Sequence, residues 1–339
     1  MEFALTTRWN AGRHSSGEAM VEEILELGFT HIELGYDTRM DLVPGIENMV
    51  EQGAVTVTSL HNFCPLPMGA PHGHPELYTF ANTNRHIRQN AIHYTKQTVE
   101  FAARVGAKAI VVHAGYVETR KSTSQLLDLV VSGKLYTPAY DKQKMKLAVE
   151  RDKKAPRFVA WMYECMEAML PTLEEYQVAI GLENLPTWEA LPSETEIEAL
   201  CNHFDSPYVR AWWDMGHAQI RENLGYINHE RWMTKLHPLI VGLHVHDVSH
   251  KIADHTMPPL GEIDFSRFAT LGARPDLIRV IEPTTKTPAH EIAEAHTLLR
   301  AAWFDEHAET DNLPPAPPGE SAEASTGTES ENKTPTEQA

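Results

Sequence analysis

The sequence is poor in cysteine. Its 339 residues include only Cys64, Cys165 and Cys201, far apart and in no metal-binding spacing. A disulfide framework is therefore not expected, and a reducing cytoplasm is the natural setting. Long apolar runs are also missing. No stretch approaches about eighteen consecutive apolar residues, so no membrane-spanning helix is expected. The opening residues, MEFALTTRWN, lack a basic stretch followed by an apolar core, which argues against an export signal. Bases are scarce: 29 Lys and Arg stand against 47 Asp and Glu, a net charge of −18. An acidic body repels phosphate backbones, so nucleic acid is not the expected partner. No Gly-x-Gly-x-x-Gly run follows the first apolar strand, which weakens the case for an open dinucleotide-binding sheet.

What is present is ordinary for a soluble globular chain, 42% hydrophobic and 22% charged, with one excess: 19 histidines. Short apolar, β-branched runs recur at 3–7, 31–36, 55–61, 109–115, 179–184, 209–214, 239–247 and 277–283. Helix-like segments separate most of them, for example 18–28, 87–106 and 158–178. Strands alternating with helices indicate a parallel sheet covered by helices. Eight such units in about 300 residues predict a single (β/α)8 TIM barrel, an α/β fold, over residues 1–305. Residues 306–339 are rich in Pro, Ser and Glu and are expected to form a disordered acidic tail. The segment 118–157 carries ten bases against five acids. It reads as a solvated helix face, or as a lid or subunit arm that meets an anionic group.

The informative pattern is positional. The third to eighth expected strands each end in a potential metal ligand: His61, His113, Glu183, Asp214, the pair His244 and His246, and Glu282. In a parallel barrel these ends lie on one face, where barrel enzymes place their chemistry. Strand alternation then points Ser59, Val111, Gly181, Trp212, Gly242 and Val280 inward as well. It points Leu60, Val112, Leu182, Trp213, Leu243, Val245 and Ile281 outward, and all of these are apolar. Gly181 and Gly242 are expected to leave room inside. A buried carboxylate without a cation or strong donors costs several kcal/mol, so Glu183, Asp214 and Glu282 read as ligands. His244 and His246 share a strand face, and spacing alone does not choose between them. His217 lies about one helical turn beyond Asp214 and can face the same centre.

Such a carboxylate-rich set with one or two imidazoles suits Mn²⁺, Co²⁺, Mg²⁺ or Zn²⁺ with positions left open for substrate. Two opposed glutamates across a divalent metal are what proton shuttling through an enediolate requires.

At these residues the chain resembles the xylose isomerase-like barrel superfamily, which groups sugar isomerases and epimerases with endonuclease IV (AP endonuclease family 2). The motifs that carry the resemblance are HIELGY, SLHNFCP, VVHAG, GLENLP, WDMGHA, GLHVHDV, HTMPPLGEIDF and RVIEP, spread over nearly all of 1–285. In the isomerase and epimerase branch, the resemblance implies one divalent metal on Glu183, Asp214, His244 and Glu282. Glu183 and Glu282 would double as the acid/base pair, and His217 would hold a substrate hydroxyl. In the endonuclease branch it implies a second ion on His61, His113 and Glu183. A third ion would sit on His217 and an Asp-x-His pair. Here Asp254 and His255 are adjacent, so the third site departs from that pattern, and His255 would instead be a rim or substrate-contact residue.

The expected function is thus a metal-dependent isomerase or epimerase of a sugar or polyol, with Trp9, Trp188, Trp212 and Trp213 read as core packing or as sugar-stacking surfaces. The alternatives are a multi-zinc phosphodiesterase acting on abasic DNA, a hydrolase or lyase of oxidised glycosides, and a degenerate binding module. A homo-oligomer is compatible with all of them.

Overall fold

A computed structural model describes residues 1–304. The expected tail, 306–339, lies outside the described residues. Eight parallel strands close into a barrel: Ala4–Thr6, His31–Leu34, Thr56–His61, Ala109–Val112, Ala179–Glu183, Val209–Asp214, Ile240–Val245 and Ile278–Ile281. Each falls inside an apolar run marked in the sequence. Closure is made at the first strand, where Ala4 pairs with His31 on one side and with Val280 on the other.

The alternation of side chains holds. Val111, Trp212 and Val280 form a small cluster with Ala4, Ala109 and Ala179 inside the barrel. Leu60, Val112, Leu182, Trp213, Leu243, Val245 and Ile281 belong to the large cluster that the helices complete. Each such side chain contributes roughly 1.5–3 kcal/mol on burial. Gly181 and Gly242 do not open a space for ligand. The Trp212 ring fills it, and a Cβ at Gly242 would land on that ring.

The outer helices follow their signals. Gly17–Glu26 starts at Ser16, whose hydroxyl accepts from the Ala19 N–H, and the chain turns at Gly28 with φ +84°. Arg85–Arg104 is capped by Asn84. The basic segment is more ordered than a long loop: it supplies helix Thr123–Val131 and the first half of a 39-residue helix, Pro138–Tyr176. That corner docks on the barrel. Tyr140 Oη donates to Leu224 O, Tyr136 Oη to Asn223 O, and Leu126, Tyr140 and Leu147 pack with Ile220 and Leu224. Among the described residues, no helix is long and apolar enough to cross a membrane.

Candidate active site

Parallel strands carry the sequence-marked residues to one end of the barrel. His61, Glu183, Asp214 and His244 lie at the ends of their strands, and His113 and Glu282 follow theirs immediately. All six are buried or nearly so. The Asn184 side chain ties two of these strand ends together. Asn184 Nδ2 donates to Asp214 O, and the Asp214 N–H donates to Asn184 Oδ1, at 2.9 and 2.8 Å. Asp214 also accepts from the His217 N–H at 2.6 Å and so caps helix Met215–Asn223. That cap holds His217 one turn from Asp214.

The centre of the cluster is His244 Nδ1. It lies 3.0 Å from Glu183 Oε1, 3.4 Å from Glu282 Oε2 and 3.8 Å from Asp214 Oδ2. Glu183, Asp214 and His244 offer ligand atoms within 4.8 Å of one another, a spacing that could hold a divalent cation, and Glu282 approaches the same nitrogen from its own strand. On the far side of the ring, Nε2 faces both oxygens of Glu33, at 3.2 and 3.3 Å. Glu33 is fully buried and also accepts from Ser59 Oγ. It keeps the proton on Nε2 and leaves Nδ1 toward the carboxylates, the second-layer carboxylate typical of metal-binding imidazoles.

The other rings repeat the device. His113 Nδ1 donates to Glu76, His61 Nδ1 to Asn62 O, His217 Nδ1 to Asn184 O and His255 Nδ1 to Glu282 O. Each pinned nitrogen frees the opposite one. His113 Nε2 lies 2.8 Å and His61 Nε2 3.5 Å from Glu183 Oε2. These three side chains offer ligand atoms within 4.8 Å of one another, a further group that could hold a cation. His246 is different. Its Nδ1 accepts from the His255 N–H at 2.9 Å, and its Nε2 donates to Asp214. It orients Asp214, and it also stands in donor groups with His217 and His255 and with Asp214 and Glu282, while His244 stands with Glu183 and Asp214.

The charges reinforce one another. Burial alone would raise the Glu183 carboxyl, but His113 and His244 hold it well below the ordinary range. Glu282 is lowered in the same way, against burial, by His244, His255 and Arg8. Burial would lower His113, yet Glu183 and Glu76 raise it to about 9. His244 is raised well above its ordinary value against the same opposition, by Glu282, Glu33 and Glu183. His255 is lowered to about 4 by burial and by His246, whose ring stacks on it at 4.2 Å. The donor chemistry therefore suits protons or a divalent cation at the same nitrogens.

Above the centre lies a cavity of about 340 Å³ lined by Arg8, Tyr36, His61, His74, Glu76 and His113, with Tyr116, Glu183, His217, His255 and Glu282 completing its wall. Pro75 is the one aliphatic member. Several expectations are corrected here. Asp254 is exposed on the strand Ala253–Thr256, which pairs with Asp247–Ser249 in a two-stranded ribbon, and it joins no donor group among the described residues. None of Trp9, Trp188, Trp212 or Trp213 lines the cavity. Trp9, Trp212 and Trp213 are core, and Trp188 stacks on Tyr226 at the flank. No residue of 118–157 lines it either. Sequence reasoning missed Glu33, Glu76, Arg8 and Tyr36. Only Glu33 carried a signal, an acid between Ile32 and Leu34 in an apolar strand.

Fold and site define a (β/α)8 barrel with a carboxylate–imidazole centre at the C-terminal ends of its strands. The chain belongs to the xylose isomerase-like TIM barrel family, whose model matches residues 21–302. An uncharacterized protein of Methanocaldococcus jannaschii, MJ1614, is 20% identical over 265 residues, which is 78% of this chain and 85% of that protein. A D-tagatose 3-epimerase-like protein shares the fold with a TM-score of 0.63 at 17% identity, over 89% of this chain and 97% of its own. The 3-keto-D-glucoside 4-epimerase YcjR of E. coli does so at 0.63 and 14%, over 89% and 99%.

Proposed function

We propose that this chain is a divalent-metal-dependent epimerase or isomerase of a small sugar or polyol-derived carbonyl compound. The observation that carries the reading is the pair Glu183 and Glu282. They reach the centre from different strands and approach the same nitrogen, His244 Nδ1, at 3.0 and 3.4 Å. Glu183, Asp214, His244 and Glu282 would hold the metal, which when bound supplies a Lewis acid for the substrate's oxygens. The protein does the proton work. One glutamate removes the proton from the carbon beside the carbonyl and the other returns it on the opposite face. His217, with Nδ1 pinned, presents Nε2 to a substrate hydroxyl. A cavity of about 340 Å³ is at the small end of ligand sites and suits a monosaccharide-sized compound. The sugar-epimerase neighbours support the same reading.

The test is exchange. Protein supplied with Mn²⁺ or Co²⁺ should transfer solvent deuterium to carbon in a ketose. Glu183→Gln and Glu282→Gln should each abolish the exchange, and full activity in either variant refutes these roles. A second reading has its own support in His61, His113 and Glu183 Oε2: a multi-zinc hydrolase of phosphodiesters or oxidised glycosides. Two or three tightly held zincs per chain, with nicking of abasic DNA that survives physiological salt, would replace the first reading with the second.

A further inference from the structure

The cavity holds one permanent cation. Arg8 is the single Lys or Arg among its described lining residues. It follows the first strand, in the turn Thr7–Trp9, at the mouth of the barrel. Its place is built. A Cβ at position 35 would come within 3.1 Å of the Arg8 backbone nitrogen and Cβ, so Gly35 is what allows the close approach. The guanidinium lies over the Tyr36 ring, 5.2 Å from its centroid.

Its bonding is unusual for this chain. Arg151 and Arg221 show what arginines do when they only hold structure together. Arg151 makes four hydrogen bonds, to Trp188 O, Ala190 O and both oxygens of Glu196, with 4% of its side chain exposed. Arg221 is fully buried between Glu194 and Thr187 O. Arg8 makes one bond, a long one of 3.3 Å from Nη1 to Glu282 Oε1, and 28% of its side chain is exposed. A guanidinium has five N–H donors in a flat fork shaped for carboxylate and phosphate oxygens. Four of the five have no partner among the described residues, and the group lies on the cavity wall. A counter-charge for Glu282 alone needs neither the exposure nor the open fork.

We infer that the substrate is an anionic sugar derivative, whose carboxylate or phosphate oxygens bind the free side of the Arg8 guanidinium while its carbonyl end reaches the Glu183–Glu282 pair. The inference rests on the epimerase reading above for the carbonyl end only. The anion at Arg8 stands on its own geometry. A bidentate pair with the fork fixes which end of the substrate faces the centre. Tyr36 and His74 flank the same wall and meet the hydroxylated middle of the molecule.

The test is binding, with compounds that have no carbonyl and do not turn over. Calorimetric affinities of Mn²⁺-loaded protein for glucitol, gluconate and glucitol 6-phosphate give the anion-to-neutral ratio. The expected ratio is tenfold or more for at least one of the two anions, and which one distinguishes carboxylate from phosphate. Arg8→Gln should bring the ratio to within about twofold of unity, and Arg8→Lys should leave an intermediate value, because it keeps the charge and loses the fork. Equal affinities in the parent protein, or no measurable binding of either anion, overturn the inference. So does a preference that survives Arg8→Gln, which would place the anion on the metal. Should the anion preference depend on Arg8 while no sugar acid or sugar phosphate exchanges deuterium, the anchor stands and the epimerase reading falls.

Discussion

Replacing Glu33 with glutamine separates a carboxylate that tunes the centre from one that merely fills the barrel. The amide is nearly isosteric. Its oxygen still accepts from His244 Nε2, and Ser59 Oγ still finds a partner, so the geometry survives and only the charge is lost. A hydrogen bond to a charged group contributes about 1.5–3 kcal/mol and a neutral one about 0.5–1.5. The difference, about 1–1.5 kcal/mol, falls on the basicity of His244 Nδ1, which faces Glu183, Glu282 and Asp214. At 1.4 kcal/mol per decade this predicts a loss of roughly 5- to 12-fold in Mn²⁺ affinity, at or just below the low end of the range for such outer partners. Calorimetric titration at pH 7 reads it directly. An affinity unchanged within twofold refutes the role of Glu33. A loss as large as that of His244→Ala means the substitution displaced the ring.

Other consequences are as direct. His229 is buried, accepts from Trp213 Nε1 at 3.1 Å, and is lowered to about 3 from 6.5 by burial and by Arg267. The unfolded chain therefore takes a proton below pH 6.5 that the folded chain refuses. Stability is whole above 6.5 and falls by about 1.4 kcal/mol per pH unit below it. In urea unfolding from pH 7 to 5, His229→Gln should remove that slope, and equal slopes count against it. Gly242→Ala should cost about 1–3 kcal/mol by driving a methyl into the Trp212 ring, and an unchanged melting temperature would show that the barrel interior yields freely. Asp254→Asn should leave Mn²⁺ affinity within about twofold, as for a surface change, and a large loss would return Asp254 to the centre. Mn²⁺ uptake at pH 7 should expel a proton from His244, seen as an enthalpy that varies with buffer ionisation, and no release would contradict the raised His244.

Strand-borne features were readable because strand parity is a rigid rule. It placed Val111, Trp212 and Val280 in one cluster and Leu60, Val112 and Leu182 in another, without any knowledge of loops. It also brought His61, His113, Glu183, Asp214, His244 and Glu282 to one end. Glu33 obeys the same rule and went unmarked only because attention fell on strand ends. Parity could not separate His244 from His246, since residues two apart share a face. The strand ends at Val245, and His246 turns its Nε2 to Asp214 while the ribbon residue His255 donates its N–H to Nδ1. Arg8, Glu76 and His74 come from turns and loops. No periodicity governs their direction, so an isolated arginine in TTRWN says nothing about which way it faces.

The way this barrel keeps four carboxylates together bears on what the site is for. Glu33, Glu183, Asp214 and Glu282 are all nearly or fully removed from water. Ionised carboxylates in that setting cost several kcal/mol each unless compensated. A purely structural solution exists in the same chain: Arg221 with Glu194 and Arg151 with Glu196 pair a carboxylate with a permanent cation and close the account. At the strand ends the chain uses imidazoles instead, and on His61, His113 and His244 one nitrogen is pinned to a carbonyl or carboxylate while the other turns inward. Imidazoles give up protons to a metal, whereas guanidinium does not. Among the described residues, the one guanidinium that lines the cavity, Arg8, stands at its rim with its fork mostly open. This arrangement supports the proposed reading, in which the interior would exchange protons for a cation and the rim would receive a charged group of the substrate.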